Sequence, residues 1–208
     1  MSTRPHRNFY GRLKGKTLKD SQKRYLDEDL ARLSPGPVSW EDNPDRTPLD
    51  LAALFGDRDV WFEVGFGGGE HLVHQAVGHP QVGIIGAEPY INGVAMLLGK
   101  IRRAGADNLA VHPGDARDLM DVLPDASIAK AFLLYPDPWP KKRHHRRRFV
   151  TQEHLAPLAR ILKPGAEFRV ATDIPDYVRQ TFEEVPKASF DWRSEERRVG
   201  KEGRSRWS

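Results

Sequence analysis

The chain has 208 residues and no cysteine, which suits one domain with its own core and excludes disulfides and thiolate metal sites. No stretch approaches the roughly 20 apolar residues of a membrane span, and residues 1–16 are basic without the apolar centre of a secretory signal, so no membrane association and a cytoplasmic setting are expected. The formal net charge of +4 hints at an anionic partner, but residues 194–208 hold five Lys or Arg against three Glu and supply half of it, so the clustering of charge says more than its sum.

A basic arm opens the chain, with Arg4, Arg7, Arg12, Lys14, Lys16 and Lys19. A helix is predicted over 21–33, then a connector over 34–48, where Pro35, Pro37, Pro44 and Pro48 forbid a long helix. From residue 60 onward short apolar runs alternate with helical patterns. Strands are predicted over 60–64, 82–87, 109–111, 129–134 and 168–171. The clearest helices are 91–104, with Val94, Leu97, Leu98 and Ile101 on one face, and 149–162, closed by Lys163, Pro164 and Gly165. Such alternation specifies an α/β fold, a Rossmann-like sandwich around a mostly parallel sheet.

The first strand runs into Glu63, Gly65, Gly67, Gly68 and Gly69 and then into a helix. Glycines at that turn permit positive φ and let a ligand approach the backbone. A dinucleotide fingerprint would need glycine at Glu70, whose carboxylate would instead face a pyrophosphate. The pattern E-x-G-x-G-x-G resembles the first motif of class I methyltransferases, whose cofactor lacks phosphate and carries a sulfonium and an amino group. Glu88 ends the second strand where an acid reaches ribose hydroxyls, and Asp115 follows the third, where related enzymes place Asp or Asn near the adenine amino group.

The fourth strand ends in Tyr135, Pro136, Asp137, Pro138, Trp139 and Pro140, followed by the basic run 141–148. Three prolines stiffen this segment, so Asp137 can be held at the mouth of a cofactor pocket. A carboxylate there suits the Watson–Crick edge of a guanine and the positive charge that a ring acquires when N7 accepts a methyl group. Orientation and electrostatics are the task read for Asp137, with direct proton transfer left open. Trp139 reads either as a core aromatic or as a ring beside a flipped base. The basic side chains suit phosphate contacts, and the adjacent His144 and His145 without nearby carboxylates make a poor metal site, so no metal is expected. Asp173, after the fifth strand, is either a substrate contact or the N-cap of a helix starting near Pro175.

Through F-E-V-G-F-G-G-G, G-A-E, G-D-A, Y-P-D-P-W-P-K-K-R-H-H-R-R-R and A-T-D in that order, the chain resembles the bacterial tRNA (guanine-N7)-methyltransferase family from Arg7 to about Glu184. D-P-W-P followed by K-K-R-H-H is not a general methyltransferase feature, and R-N-F-Y-G-R-L-K-G-K is similar to the family's N-terminal arm. The resemblance implies a class I methyltransferase that moves a methyl group from S-adenosyl-L-methionine to N7 of guanine at position 46 in the tRNA variable loop. It implies cofactor contacts at Glu63, Gly65, Gly67, Glu88, Asp115 and Asp137, with Asp137 also catalytic. Substrate contacts fall on Lys141 and Asp173, and tRNA contacts on Arg143, His144, His145, Arg146, Arg147 and Arg148. The expected organisation is an arm, helix and connector over 1–48, a methyltransferase domain over 49–193 and a non-native or disordered tail over 194–208. Relatives continue into two further strands with an intervening T-x-x-E motif, absent here after Glu184, so the C-terminal strands are expected to be missing or replaced. A monomer or homodimer is expected. An amino-group methyltransferase would carry a compact turn such as N-P-P-F where Trp139 stands, a non-catalytic RNA-binding protein need not retain every cofactor acid, and a nicotinamide enzyme fails on glycine spacing.

Overall fold

Val, Ile, Leu, Phe and Ala dominate the runs that the computed structural model, which describes residues 7–188 together with Phe190 and Asp191, assembles into one parallel sheet. The strands are β1 (Asp59–Val64), β2 (Val82–Ala87), β3 (Leu109–His112), β4 (Ile128–Leu134) and β5 (Leu162–Ala171), in the order β3-β2-β1-β4-β5. Val64 lies beside Ala87 and Leu133, Ala87 beside His112, and Leu134 beside Ala171, so the carboxyl ends of all five strands form one level edge. The strand order reverses between β1 and β4, and in open α/β sheets a crevice opens at that point of the carboxyl edge.

Helices cover both faces. On one side α3 (Glu70–Gly78) and α4 (Ile91–Ala104) bury Leu72, Val94, Leu97, Leu98 and Ile101. On the other, α5 (Ala116–Val122), α6 (Gln152–Ile161) and α7 (Pro175–Glu184) bury Leu119, Met120, Leu155, Leu158 and Tyr177. Strands open to helices on both faces become continuously apolar, as in β2, where all six residues are buried. The connector 34–48 has neither helix nor strand, as expected.

Several boundaries differ from the sequence expectation. The first helix, α1 (Asp20–Asp29), gives way to a turn before Leu33. A five-residue helix, α2 (Leu51–Phe55), was not anticipated, because so short a segment shows no periodicity; the Asp50 side chain caps it by accepting from the Ala53 N–H at 2.9 Å. Thr151 is the N-cap of α6, so Phe149 and Val150 precede the helix, and Phe149 stacks on the His154 ring. Lys163, Pro164 and Gly165 belong to β5: pairing starts at Leu162 with Ile128, shifts register, and resumes at Glu167 with Lys130, the slip coinciding with Pro164 and with Gly165 at φ 79°. Among the described residues no strand follows β5, and no helix is long and apolar enough to cross a membrane. The expected tail 194–208 lies outside the described residues.

Candidate functional site

A cavity of about 800 Å³ opens at the carboxyl edge of the sheet, lined by the ends of β1, β2 and β4 and the loops that follow them. After Val64 the backbone turns through Gly65 and Gly67, at φ 68° and 55°, a region that side chains with a Cβ rarely adopt. A Cβ at either position would meet nothing within 4 Å, and both residues line the cavity, so a side chain there would project into open space that a ligand can use. The loop is braced from α4. A Cβ on Gly93 would stand 2.3 Å from the Gly67 carbonyl oxygen, and the Lys100 ammonium donates to the Gly68 carbonyl at 2.6 Å while pairing with Glu70 at 2.9 Å.

Glu88, just past β2, is built into this frame. One carboxylate oxygen accepts from the Gly67 N–H and the other from the Tyr90 N–H, both at 2.8 Å. Burial pushes the Glu88 pKa up against the pull of those two donors, and the charge of Asp137 adds to the rise. Each oxygen keeps acceptor capacity toward the cavity. Asp115 caps α5 by accepting from the Arg117 N–H at 2.9 Å, and the Arg117 guanidinium closes on the same carboxylate at 2.5 Å. Burial acts to raise the Asp115 pKa, but the bonds from Arg117 hold it below the ordinary value.

Glu63, expected as a cofactor contact, lies outside the cavity. It is buried, it is not among the residues lining the cavity, and its carboxylate meets His71 Nδ1 at 2.7 Å. The reason is strand periodicity: Glu63 shares the face of Trp61 and points toward α3, whereas Val64 reaches the cavity.

On the far side of the crevice, Tyr135 and Trp139 hold φ 48° and 39°, and Asp137 between them is exposed at the cavity, with no hydrogen-bond partner among the described residues. Trp139 is half-buried in the cavity wall and is therefore not a core aromatic. The basic run forms a short 3-10 helix, Lys142–Arg147. Arg146, Arg147 and Arg148 all border the cavity, and the Arg147 guanidinium lies 4.5 Å from the Tyr10 ring centroid and 4.9 Å from that of Trp139. Lys141 and Arg143 are exposed outside the cavity, and His144 packs edge-on against Trp139. Desolvation and the cations Arg147, Arg143, Lys141 and Arg146 hold the His144 pKa below its usual value. His145 sits 3.0 Å from Asp176 of α7. Arg148 corrects the expectation of a phosphate contact, because its side chain is fully buried. Asp173 is exposed outside the cavity and does not cap α7: Ile174 is the N-cap and lacks a side-chain bond.

The N-terminal arm was legible as basic charge and as a segment similar to the family's arm, but not by its contacts. Arg7 pairs with Asp118 and Asp121 of α5 at 3.0 and 2.7 Å, and Arg117 donates to the Asn8 carbonyl at 3.1 Å. Farther on, Ile91 N–H donates to the Leu13 carbonyl at 3.0 Å, and Asn92 bonds Gly15 and Lys16 at 2.8 and 2.7 Å. Anchored at both ends, residues 8–12 run along the cavity and bring Phe9 and Tyr10 into its wall. Cavity residues that sequence reasoning missed also include Tyr90, Arg117, Glu153 and His154. Burial depresses the His154 pKa, and its Nδ1 is 2.8 Å from the Phe149 carbonyl oxygen.

A family model described as "Putative methyltransferase" matches residues 57–205. A tRNA (guanine-N(7)-)-methyltransferase of Roseobacter denitrificans is 80% identical over 190 residues, which cover 91% of this chain and 82% of that one. Its namesake from Ruegeria pomeroyi is 78% identical over 192 residues, 92% of this chain and 81% of that one. Among solved structures, a 16S rRNA methyltransferase, KamB, shares the fold with a TM-score of 0.50 at 19% identity, over 66% of this chain and 72% of its own.

Proposed function

The chain belongs to the tRNA (guanine-N7)-methyltransferase family of class I S-adenosylmethionine-dependent methyltransferases, and from that premise we propose that its cavity brings this cofactor together with a guanine at position 46 of the tRNA variable loop. The observation that carries the reading is that Glu88, the open glycine turn and Asp137 share one cavity with a wall of Tyr10, Arg147 and Trp139.

The residues fit S-adenosylmethionine. Gly65 and Gly67 leave room for a ligand against the backbone, and Glu88 is fixed where its remaining lone pairs can accept from ribose hydroxyls. No phosphate has to be accommodated beside these acids. Glu63, its carboxylate held by His71, supports the site from outside the cavity, and Asp115 fixes the first turn of α5 at the adenine end. When bound, the cofactor supplies an electrophilic methyl group on a sulfonium.

Guanine N7 carries its own lone pair, so the acceptor needs no general base; it needs placement and compensation of the positive charge that develops on the ring. An exposed carboxylate at the cavity, with no hydrogen-bond partner among the described residues, as at Asp137, suits both tasks, since it can accept from the N1–H and N2–H groups and its negative charge favours the cation. Lys141 and Asp173 contact the substrate nucleotide from outside the cavity, and Arg143, His144, His145, Arg146 and Arg147 follow the phosphate backbone. Incubating unmodified tRNA with labelled cofactor, followed by borohydride reduction and aniline treatment, should break the strand at the variable-loop guanine. Methyl transfer without that break would overturn the assignment to N7.

A further inference from the structure

The basic run ends in a residue that does not reach the surface. The Arg148 side chain is 0% exposed, and all three of its nitrogens are engaged. Nε donates to the Pro138 carbonyl at 2.9 Å and Nη2 to the Trp139 carbonyl at 3.3 Å, while Nη1 donates to Gln180 Oε1 at 3.0 Å and to the Asp176 carbonyl at 3.3 Å. The Asp176 carboxylate stands 3.0 Å from Nη2, and the guanidinium lies 5.1 Å from the Tyr177 ring centroid. Two of these acceptors belong to the segment that carries Asp137, and the others to α7. Gln180 completes the tie by donating from Nε2 to the Val150 carbonyl at 2.7 Å.

The segment needs such support. Tyr135 and Trp139 occupy a backbone region that bulky L-residues rarely adopt, and strain of that kind persists only where the surroundings over-determine the conformation. Among the described residues Asp137 makes no hydrogen bond that would help hold the segment. A guanidinium holds several acceptors in one plane, which the point charge of a lysine does not. We propose that Arg148 is a positioning residue for methyl transfer: through the Pro138 and Trp139 carbonyls it fixes the Asp137 carboxylate at the cavity, and it makes no contact with RNA. The inference rests on the role given to Asp137 above.

Single-turnover rates with enzyme in excess, for R148K, Q180A, D137N and the R148K/D137N pair, test it together with tRNA affinity across a salt series. R148K should slow transfer by roughly 10²-fold, the scale on which a misplaced catalytic group acts. Its tRNA Kd should stay within about twofold of the unchanged protein with the same salt dependence. Q180A, which leaves the buried charge paired with Asp176, should slow transfer about tenfold and remains a test if R148K fails to fold. The double variant should be no slower than D137N. Unchanged rates in R148K and Q180A would overturn the inference, as would a loss of tRNA affinity with the salt slope reduced by about one, the mark of a lost phosphate contact. Multiplying defects in R148K/D137N would also overturn it, because Arg148 would then act by another route. D137N turning over at the rate of the unchanged protein would instead refute the role of Asp137.

Discussion

Glu88 and Asp137 line the same cavity, yet Glu88 is buried with both oxygens held by backbone N–H groups, whereas Asp137 is exposed, with no hydrogen-bond partner among the described residues, on a loop with two residues at positive φ. The Glu88 carboxylate is thus fixed at the strand ends, through bonds to residues 21 and 2 positions away, and the glycine turn beside it by Lys100 of α4 across 32. The acceptor side takes its shape from Arg148, bonded to Gln180 across a like 32 positions, and from much farther along the chain, through an arm tied to α5 across 114. A cofactor of constant shape suits a prebuilt site. An RNA base that must be delivered into place suits a loop whose carboxylate is left open for it.

Breaking the acceptor side should have the larger effect. Asp137→Asn removes the charge opposite the developing cation while keeping the shape, and kcat should fall about 10²–10³-fold with cofactor affinity little changed, measured by steady-state kinetics against calorimetric titration. On the cofactor side, Glu88→Gln should weaken cofactor binding by about 10- to 100-fold, the range for hydrogen bonds to a charged group. The same side chain gives a pH signature. Because its pKa is raised in the folded protein, its contribution to stability is present below the ordinary carboxylate pKa and lost as pH rises through the raised value, whereas cofactor affinity falls as pH drops through that value. Thermal melts and binding titrations between pH 4 and 7 should therefore move in opposite directions for Glu88, and Glu88→Gln should abolish both trends.

Gly93→Ala sharpens the contrast, since the new Cβ would press on the Gly67 carbonyl, and backbone cannot yield as a flexible side chain does. The cofactor KM should rise about tenfold, within the range of overpacking costs, while tRNA affinity holds. The smallest effect is expected at Arg146, exposed at the cavity rim: Arg146→Gln should weaken tRNA binding a few-fold and lower the salt slope by about one, without touching cofactor affinity.

The same division governs what the amino-acid sequence reveals. The bounds expected for β2 and α4 match the structure residue for residue, because both are long, strongly patterned and flanked by clear stops. Gly65, Gly67, Glu88, Asp115 and Asp137 were legible as cavity residues since parallel strands bring their carboxyl ends together whatever the loops do. The direction of Glu63 depends on which face of β1 reaches the crevice, and a strand buried on both faces carries no polar alternation to reveal it. Arg148 was indistinguishable from its neighbours in a run of arginines; only Asp176 and Gln180, 28 and 32 positions away, separate it from them. Phe9 and Tyr10 were legible as part of an arm similar to the family's, but not as cavity wall, because the arm's anchors, Asp118 and Asp121, lie more than a hundred positions along the chain.

A crystal structure with S-adenosylhomocysteine tests most directly whether one cavity serves both halves. Density should lie against Gly65 and Gly67, with the ribose hydroxyls within hydrogen-bond distance of Glu88 and the sulfur end directed at Asp137. Ligand bound elsewhere, or in this cavity with Glu88 untouched and Asp137 at the adenine end, would contradict the account.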